Sequence, residues 1–501
     1  MKLSNMALVA AIAWGVFGVN LRAQETEPAS EGQPSARFVS DYYQPAAGQP
    51  SPSDRPPMAP TPPPAAPMAP MDAPLAPMDA PAAAAEEPAA EEDEYKPLTI
   101  MNWLDGTNLG DRLKCRKIRL SGNLVQSVTL NPQSPKDRFN GPVTWTDRSN
   151  EYQMNQWWMT AEKATDTSER DWDLGGRIDT LYGTSYRFTT EAGLEDKWNI
   201  GRQFYGLALP QAYTEVAYKK LKVKVGHFIS PVGYFTVDTT QNFFNTIPYT
   251  YQYGEPFTHT GALATYKAND KWTVGGGVTR GWDAFNRANY GPPGTFTYAS
   301  PNLGWLGTAT YTGSNGGSIA YVNVWSNEAT QTANTFSSRY FQTFVVSRPI
   351  IKDKLNYVFQ SDFGHQDNAI AATGKGANWY GVNQYLFLTQ NECITWGINF
   401  EWFRDEEGYR VGGFLPSLPA STARGLSPAR SGYAGNFYQV TMGPKWTPYQ
   451  NKNLVIRPNA RFDWFQGEIL TNNLNPTGLK PYNNGDSNGQ FIFGTDIYYL
   501  F

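Results

Sequence analysis

Histidine and cysteine are the residue types most often used for catalysis and metal binding, and the chain contains few of either. The three histidines, His227, His259 and His365, are far apart, and none has a spacing such as H-E-x-x-H that would place two ligands on one helix face. We therefore expect no metal site, no cofactor and no catalytic residue. His259 lies near Glu255 and Thr258, but a Ser–His–acid arrangement is recognised by its geometry, so a hydrolase stays an alternative.

Charged and apolar residues alternate strictly near the end of the chain. The apolar positions are Leu454, Ile456, Pro458, Ala460, Phe462 and Trp464, and the polar ones are Arg457, Asn459, Arg461 and Asp463. Successive side chains of a strand point to opposite faces, so this pattern predicts a strand with one face suited to lipid and the other to water. A soluble β-sandwich also alternates, and alternation alone does not identify the fold class.

The connections between such segments separate the two fold classes. About 16 strands can be placed between residues 118 and 501, and the odd-numbered connections, such as 230–259, are longer than their neighbours. Long loops at one end and short turns at the other are typical of a transmembrane antiparallel up-and-down barrel with an even strand number. We therefore predict an all-β barrel over residues 118–501, with its short turns and its carboxyl end on the periplasmic side.

Closing this barrel would bring several basic residues together. Arg119, Lys445, Arg457 and Arg461 fall on the water face of the first, fourteenth and fifteenth strands, which become neighbours through the sixteenth. They would form a basic wall in the lumen that orients polar solutes. The alternative is a scatter of lumenal charges neutralised by close partners such as Asp463.

The region ahead of the barrel has a different composition. Residues 1–23 read as a signal peptide, with Lys2 followed by an apolar run over 7–19 that is too short to span a bilayer as a helix. Residues 24–97 are rich in proline and alanine, which predicts a disordered periplasmic linker. We expect residues 98–117 to form a short periplasmic lead-in. In an oxidising compartment one bridge between Cys115 and Cys393 is allowed.

The overall composition agrees with an exported barrel. The chain has 14% aromatic and only 17% charged residues, with a mean hydropathy of −0.50. A soluble domain is usually richer in charge, and a helical membrane protein is far more hydrophobic. The net charge of −4 offers no basic patch for nucleic acid, so none is expected as a partner.

Apolar residues at alternate positions end the chain. Phe493, Ile497, Tyr499 and Phe501 share one face, and the last residue is aromatic. This resembles the terminal strand that the outer-membrane insertion machinery recognises, and it predicts that machinery as a partner.

Several stretches resemble the OmpL-like β-barrel porin family. They are NGPV at 140–143, NEYQMNQ at 150–156, VGHF at 225–228, PVGY at 231–234, YGEPFTHTG at 253–261, WYGVNQY at 379–385 and FEWFRD at 400–405. The resemblance covers most of residues 98–501. It implies a water-filled channel in the bacterial outer membrane for passive diffusion of small hydrophilic solutes. The family offers no catalytic or substrate-binding residues to transfer.

The loop over residues 230–259 follows the fifth strand, as does the loop that narrows the pore of sixteen-stranded general porins. By resemblance of position it would fold into the lumen, and Asp238, Tyr249, Tyr251, Tyr253 and Glu255 would lie at the constriction. A loop that stayed outside would expose many aromatic residues to water. The alternative is a loop that packs over the barrel mouth or a neighbouring subunit.

The remaining partners follow from the same interpretation. Lipid of the outer membrane would surround the barrel, small hydrophilic solutes would pass through it, and the linker would reach the cell wall. A homotrimer is expected by analogy with general porins of this size. A barrel that only tethers the cell wall is the structural alternative to a porin.

Overall fold

The computed structural model describes residues 98–191, 193–195, 198–199, 204–285, 302–330, 335–370, 373–411, 432–448, 453–471 and 478–501. The predicted signal peptide and the proline-rich linker lie outside these residues. Among the described residues, no helix is both long enough and apolar enough to cross a membrane.

The described strands form one closed antiparallel barrel of sixteen strands. Each strand pairs with its neighbours in sequence, and β1 pairs with β16 to close the cylinder. The strands are β1 Arg119–Leu130, β2 Glu151–Lys163, β3 Trp172–Gly183, β4 Gly206–Tyr218, β5 Leu221–Ile229, β6 Thr258–Lys267, β7 Trp272–Thr279, β8 Gly304–Thr312, β9 Ser318–Ala329, β10 Phe336–Ile351, β11 Leu355–Ile370, β12 Lys375–Thr389, β13 Ile394–Asp405, β14 Tyr433–Trp446, β15 Leu454–Ile469 and β16 Gly489–Leu500. The predicted fold class is confirmed.

The two faces of β15 are those that the alternation predicts. Phe462 is 45% exposed on the outer face, whereas Arg457, Arg461 and Asp463 are buried on the inner face. The lumen, and not the outer surface, therefore holds the charged residues of this strand. A soluble sandwich would instead place its charged residues outside and its apolar residues inside.

The outer surface has an apolar belt between two sets of aromatic residues. The rim that carries the long connections is called the upper rim, and the rim with the short turns and the carboxyl end is the lower rim. Exposed aromatic residues are Tyr152, Tyr182, Trp305 and Trp325 toward the upper rim, and Trp172, Tyr218, Tyr266, Trp272, Trp396 and Trp446 toward the lower rim. Val225, Val274, Ile398, Phe462 and Phe493 are exposed between them. Amphipathic aromatic side chains at both edges of an apolar band are the pattern of a barrel in a bilayer.

One predicted connection is shorter than expected. The sequence pattern places a long loop between the eleventh and twelfth strands, but only residues 371–374 separate β11 from β12. The ladder continues to the pair Ile370 and Lys375 because polar side chains such as Gln366 are accommodated on the lumen face. The alternation of long and short connections fails here.

The lead-in forms two short helices beside β1. Helix α1 spans Ile100–Trp103 and α2 spans Asn108–Cys115, and the hydroxyls of Thr99 and Thr107 cap their amino ends. The Tyr499 hydroxyl donates a hydrogen bond to the Leu98 carbonyl (3.3 Å), which holds the lead-in at the lower rim. Cys115 and Cys393 are both unpaired thiols, so the bridge that the compartment would allow is not formed.

Candidate functional site

Residues 230–257, the connection between β5 and β6, enter the barrel and are called the inner loop. The loop contains one turn of π-helix, Thr250–Gly254, which contacts β11, β12 and β13. These strands lie across the barrel from β5, so the loop crosses the lumen instead of covering the mouth.

Two arginines of β15 hold the first half of the inner loop. Arg457 donates to the carbonyls of Thr239 (2.8 Å) and Asn242 (2.7 Å), and its other nitrogens pair with Asp496 at 2.6 and 2.8 Å. A guanidinium has five N–H groups, so it can satisfy a carboxylate and two carbonyls at once. Arg457 and Asp496 are each 1% exposed in their side chains.

Arg461, four residues further along β15, binds an aspartate and the inner loop in the same way. It pairs with Asp463 at 2.8 Å and donates to the Ile247 carbonyl (2.7 Å) and the Thr246 hydroxyl (2.9 Å). Charge-assisted hydrogen bonds in a buried site are stronger than neutral ones. The inner loop is therefore tied to β15 at two points.

Carboxyl groups hold the second half of the inner loop. Glu401 on β13 accepts hydrogen bonds from the backbone N–H groups of Tyr249 (2.9 Å) and Thr250 (2.5 Å). Glu255, within the loop, accepts from the Gln360 side chain on β11 (2.5 Å). Burial and the neighbouring Asp362 raise the pKa of Glu255 well above its ordinary value.

The three predicted loop tyrosines are anchors in this arrangement. The Tyr249 hydroxyl donates to Asp463 (2.7 Å), and the Tyr253 hydroxyl donates to the Pro142 carbonyl (2.7 Å). Tyr251 packs in an aromatic cluster, 4.7 Å from the Phe257 ring centroid. Each of the three is at most 3% exposed.

Asp238 is also buried in the lumen. Its carboxylate accepts from the Asn123 side chain (3.2 Å) on β1 and from the backbone and hydroxyl of Thr240. Burial raises the pKa of Asp238 despite these hydrogen bonds. The structure thus brings all five predicted constriction residues into the lumen as loop anchors, and their place at the narrowest point stays a prediction.

The partly exposed side chains of the inner loop are different residues. Tyr234, Thr236, Gln241 and Phe243 keep solvent exposure, whereas the predicted five do not. Sequence reasoning missed them because the loop has no periodicity that separates a side facing the wall from a side facing the channel. The density of aromatic residues identified the loop, but it did not predict which of its side chains face the channel.

The four predicted basic-wall residues have different surroundings. Arg457 and Arg461 lie side by side on β15 beneath the inner loop, and Lys445 is half-buried on the adjacent β14. Arg119 is 67% exposed at the lower rim, 3.5 Å from Glu162. Arg461 has the partner Asp463 that the alternative interpretation named, and the effect of the wall on solutes stays a prediction.

Other upper connections pack against the inner loop. Arg187, in helix α3 (Tyr186–Thr189), makes a fully buried two-bond ion pair with Asp147 at 2.9 Å. Trp145 of the first connection stacks on Phe188 with ring centroids 5.0 Å apart. The upper half of the lumen is therefore built from several loops.

His259, the histidine considered for a hydrolase, makes the hydrogen bonds of a structural residue. His259 Nε2 accepts from the Ser230 hydroxyl (3.1 Å), and its Nδ1 donates to the Gly281 carbonyl (3.0 Å). In a catalytic triad a carboxylate would take that second position. The pair sits where the inner loop begins and ends, and the described residues form no cluster of three potential metal ligands.

An apolar outer belt, a lumen of buried charges and a loop folded inside define a transmembrane β-barrel channel. The sequence profile of the family described as "Putative beta-barrel porin-2, OmpL-like" matches residues 117–501. The chain belongs to this family, which confirms the resemblance found in its sequence. It is a porin of the bacterial outer membrane.

Solved structures with a similar fold are outer-membrane proteins. The channel DcaP of Acinetobacter baumannii has a TM-score of 0.48 at 10% identity, covering 77% of this chain and 97% of that one. OprB of Pseudomonas putida has a TM-score of 0.49 at 12% identity, covering 79% and 97%. The anion-selective porin of Comamonas acidovorans has a TM-score of 0.48 at 9% identity, covering 77% and 99%. No curated protein matches the chain.

Proposed function

We propose that the protein is a passive channel whose conducting path is narrowed by the inner loop. The observation that carries this proposal is the set of hydrogen bonds that join the inner loop to β11, β13 and β15, although the loop starts on the opposite wall. A loop fixed on both sides of the lumen is a permanent restriction. It sets a size limit for solutes without requiring an energy source.

The wall opposite these anchors offers a polar surface for solutes. In the lower half of the lumen Glu162 and Arg177 lie 3.7 Å apart, and Glu215 and Lys222 lie 3.3 Å apart. These side chains keep partial exposure on strands β2 to β5, and charges of both signs favour hydrated, polar solutes. Tyr234, Thr236, Gln241 and Phe243 would face the same space from the inner loop.

Deleting Thr239 to Thr250 tests the proposal. The deletion removes both carbonyl groups bound by Arg457 and the backbone bound by Glu401, while every strand remains. We expect a higher single-channel conductance and faster entry of larger sugars into liposomes. The barrel still folds, because its strand ladders do not use the loop.

A deletion of the same length, residues 414–425 in the connection between β13 and β14, is the matched control. It leaves Arg410 and the whole inner loop in place, and it should change the sugar size limit less. Equal conductance in the wild type and the inner-loop deletion would place the conducting path elsewhere. Cleavage of lipid or peptide by the purified protein would instead favour the hydrolase alternative.

Three partners remain part of the proposal. We expect the terminal residues Phe493, Ile497, Tyr499 and Phe501 to engage the insertion machinery, the linker 24–97 to reach the cell wall, and the barrel to assemble as a homotrimer. Phe493 and Ile497 are exposed on the outer face of β16, and the backbone of Phe501 pairs with Gly122 of β1. Crosslinking in native membranes tests the trimer.

A further inference from the structure

Two arginines near the upper rim share one pair of indole rings. Arg339 is near the upper end of β10, and Arg410 lies five residues after the end of β13. The guanidinium carbon of Arg339 lies 4.6 Å from the Trp282 ring centroid and 5.9 Å from that of Trp379. The corresponding distances for Arg410 are 5.1 and 5.0 Å. Two like charges are therefore held close together in the lumen.

Neither guanidinium has a carboxylate partner among the described residues. Arg339 donates two hydrogen bonds to the side-chain oxygen of Gln366 (2.8 and 2.6 Å). Arg410 donates one, from Nε, to the Tyr253 carbonyl (2.5 Å). The described structure gives its two terminal nitrogens no acceptor, although Arg410 is only 7% exposed.

The other buried arginines of the lumen make the contrast clear. Arg187, Arg457 and Arg461 are each paired with an aspartate at 2.6 to 2.9 Å. A buried charge is costly unless an opposite charge and hydrogen bonds compensate it. Contact with indole faces offsets part of that cost for Arg339 and Arg410, but it supplies no negative charge.

The carboxylates nearest to this pair accept hydrogen bonds from other groups and lie beyond ion-pair distance of the two guanidinium groups. Glu328 on β9, which interacts electrostatically with both arginines, accepts from the Trp282 backbone N–H (3.0 Å) and the Ser326 hydroxyl (2.6 Å). Asp405 accepts from the backbone N–H groups of Tyr409, Arg410 and Val411 at 2.7 to 2.9 Å. Asp283 accepts from the backbone of Phe257 and Thr258. Burial and the neighbouring Arg339 lower the pKa of Arg410 to about 9, so Arg410 is still charged at neutral pH.

We propose that Arg339 and Arg410 form a binding site for small oxyanion solutes near the upper rim of the lumen. The terminal N–H groups of a guanidinium form a planar fork that matches a carboxylate or a phosphate. The site deepens the proposed channel function, on which it rests, by naming the class of solute. A negatively charged solute would supply the oxygen acceptors that the described residues do not offer to the terminal nitrogens of Arg410.

Calorimetric titration of the purified barrel in detergent at low salt tests this site. Sodium succinate and inorganic phosphate are the probes, and they distinguish a carboxylate site from a phosphate site. We expect Arg410→Gln to weaken binding of the preferred probe about tenfold or more, since a charge-assisted hydrogen bond is lost. Arg410→Lys keeps the charge but loses the fork, so it should weaken binding less.

Arg404→Gln is the matched control. Arg404 lies on the outer face of β13, where it pairs with Glu406 at 2.5 Å, and its loss should leave both titrations unchanged. Circular dichroism confirms that each variant is folded. Arg410→Lys and Arg339→Lys serve as the tests if Arg410→Gln does not fold.

The results separate this site from the channel proposal. Wild-type protein that binds neither probe, or folded Arg410→Gln that binds as tightly as the wild type, overturns the site. Reversal potentials in a salt gradient then show whether the site acts on transport, and Arg410→Gln should shift selectivity toward cations. Binding without any conductance would keep the site and remove the channel function.

Discussion

Buried charges in the lumen fall into two groups. Arg457 and Arg461 each bind an aspartate and the inner loop at the same time, so they hold the inner loop against β15. Arg339 and Arg410 have indole neighbours and no carboxylate partner among the described side chains. The same residue type therefore stabilises the restriction in one place and offers a solute site in another.

Glu255 is an anchor of the inner loop whose strength should depend on pH. Its raised pKa means that the carboxyl group is protonated in acid and ionises beside Asp362 and Glu401 as pH rises. A group with a raised pKa loses its stabilising contribution as pH increases, so the loop should loosen toward alkaline pH. We expect single-channel conductance and open-channel noise to increase with pH in the wild type.

The variant Glu255→Gln should flatten this dependence, because the amide does not ionise. Glu406→Gln, at an ion pair on the outer surface, should keep the wild-type curve. If Glu255→Gln follows the same pH curve as the wild type, another group controls the loop.

At the scale of elements, the inner loop depends on strands that are distant in sequence. Arg457 and the Thr239 carbonyl are separated by 218 residues, and Tyr249 and Asp463 by 214. The loop has its own π-helical turn, but its position comes from the wall that it meets. Removing one of these contacts should therefore change the position of the inner loop without changing the barrel.

The charge-neutral pair Arg457→Gln with Asp496→Asn separates anchoring from selectivity. Removing only one partner would leave a buried charge uncompensated, whereas replacing both keeps the net charge and the fold. We expect larger and noisier single-channel currents with an unchanged reversal potential. Planar-bilayer recordings measure both quantities.

The pair Lys267→Gln with Asp270→Asn, at the turn after β6 on the lower rim, serves as the control. These two side chains are mostly exposed, lie 3.0 Å apart and are not part of the polar lumen wall. Its currents should match those of the wild type. A changed reversal potential in the Arg457 and Asp496 variant, without added noise, would favour the basic-wall prediction.

At the scale of the whole molecule, the orientation of the barrel in the membrane decides which rim faces the outside of the cell. Family membership places the protein in the outer membrane, and the long connections share one rim. We expect that rim to face outward and the chain end to face the periplasm. The two native cysteines, in α2 and in the turn 390–393, lie at the opposite rim.

A cysteine at Asp486, an exposed position at the upper rim, tests this orientation. An impermeant thiol reagent added to intact cells should label Asp486→Cys and leave the wild type unlabelled. The wild-type protein is the control because its own thiols lie at the lower rim. Labelling of the wild type on intact cells would reverse the orientation.

The sequence by itself determined the barrel. Strand alternation and connection length are local properties, so they place sixteen strands, assign the faces of β15 and locate the inner loop. The long connection that they predicted between β11 and β12 is wrong, because a polar lumen lets a strand continue through residues that also suit a loop.

Only the tertiary structure decided how the lumen is filled. Which side of the inner loop meets the wall depends on the stagger and tilt with which the sixteen strands close, and no residue spacing encodes these quantities. For that reason Asp238, Glu255 and the loop tyrosines turned out to be anchors, and the Arg339 and Arg410 pair, drawn from β10 and the connection after β13, had no sequence signal.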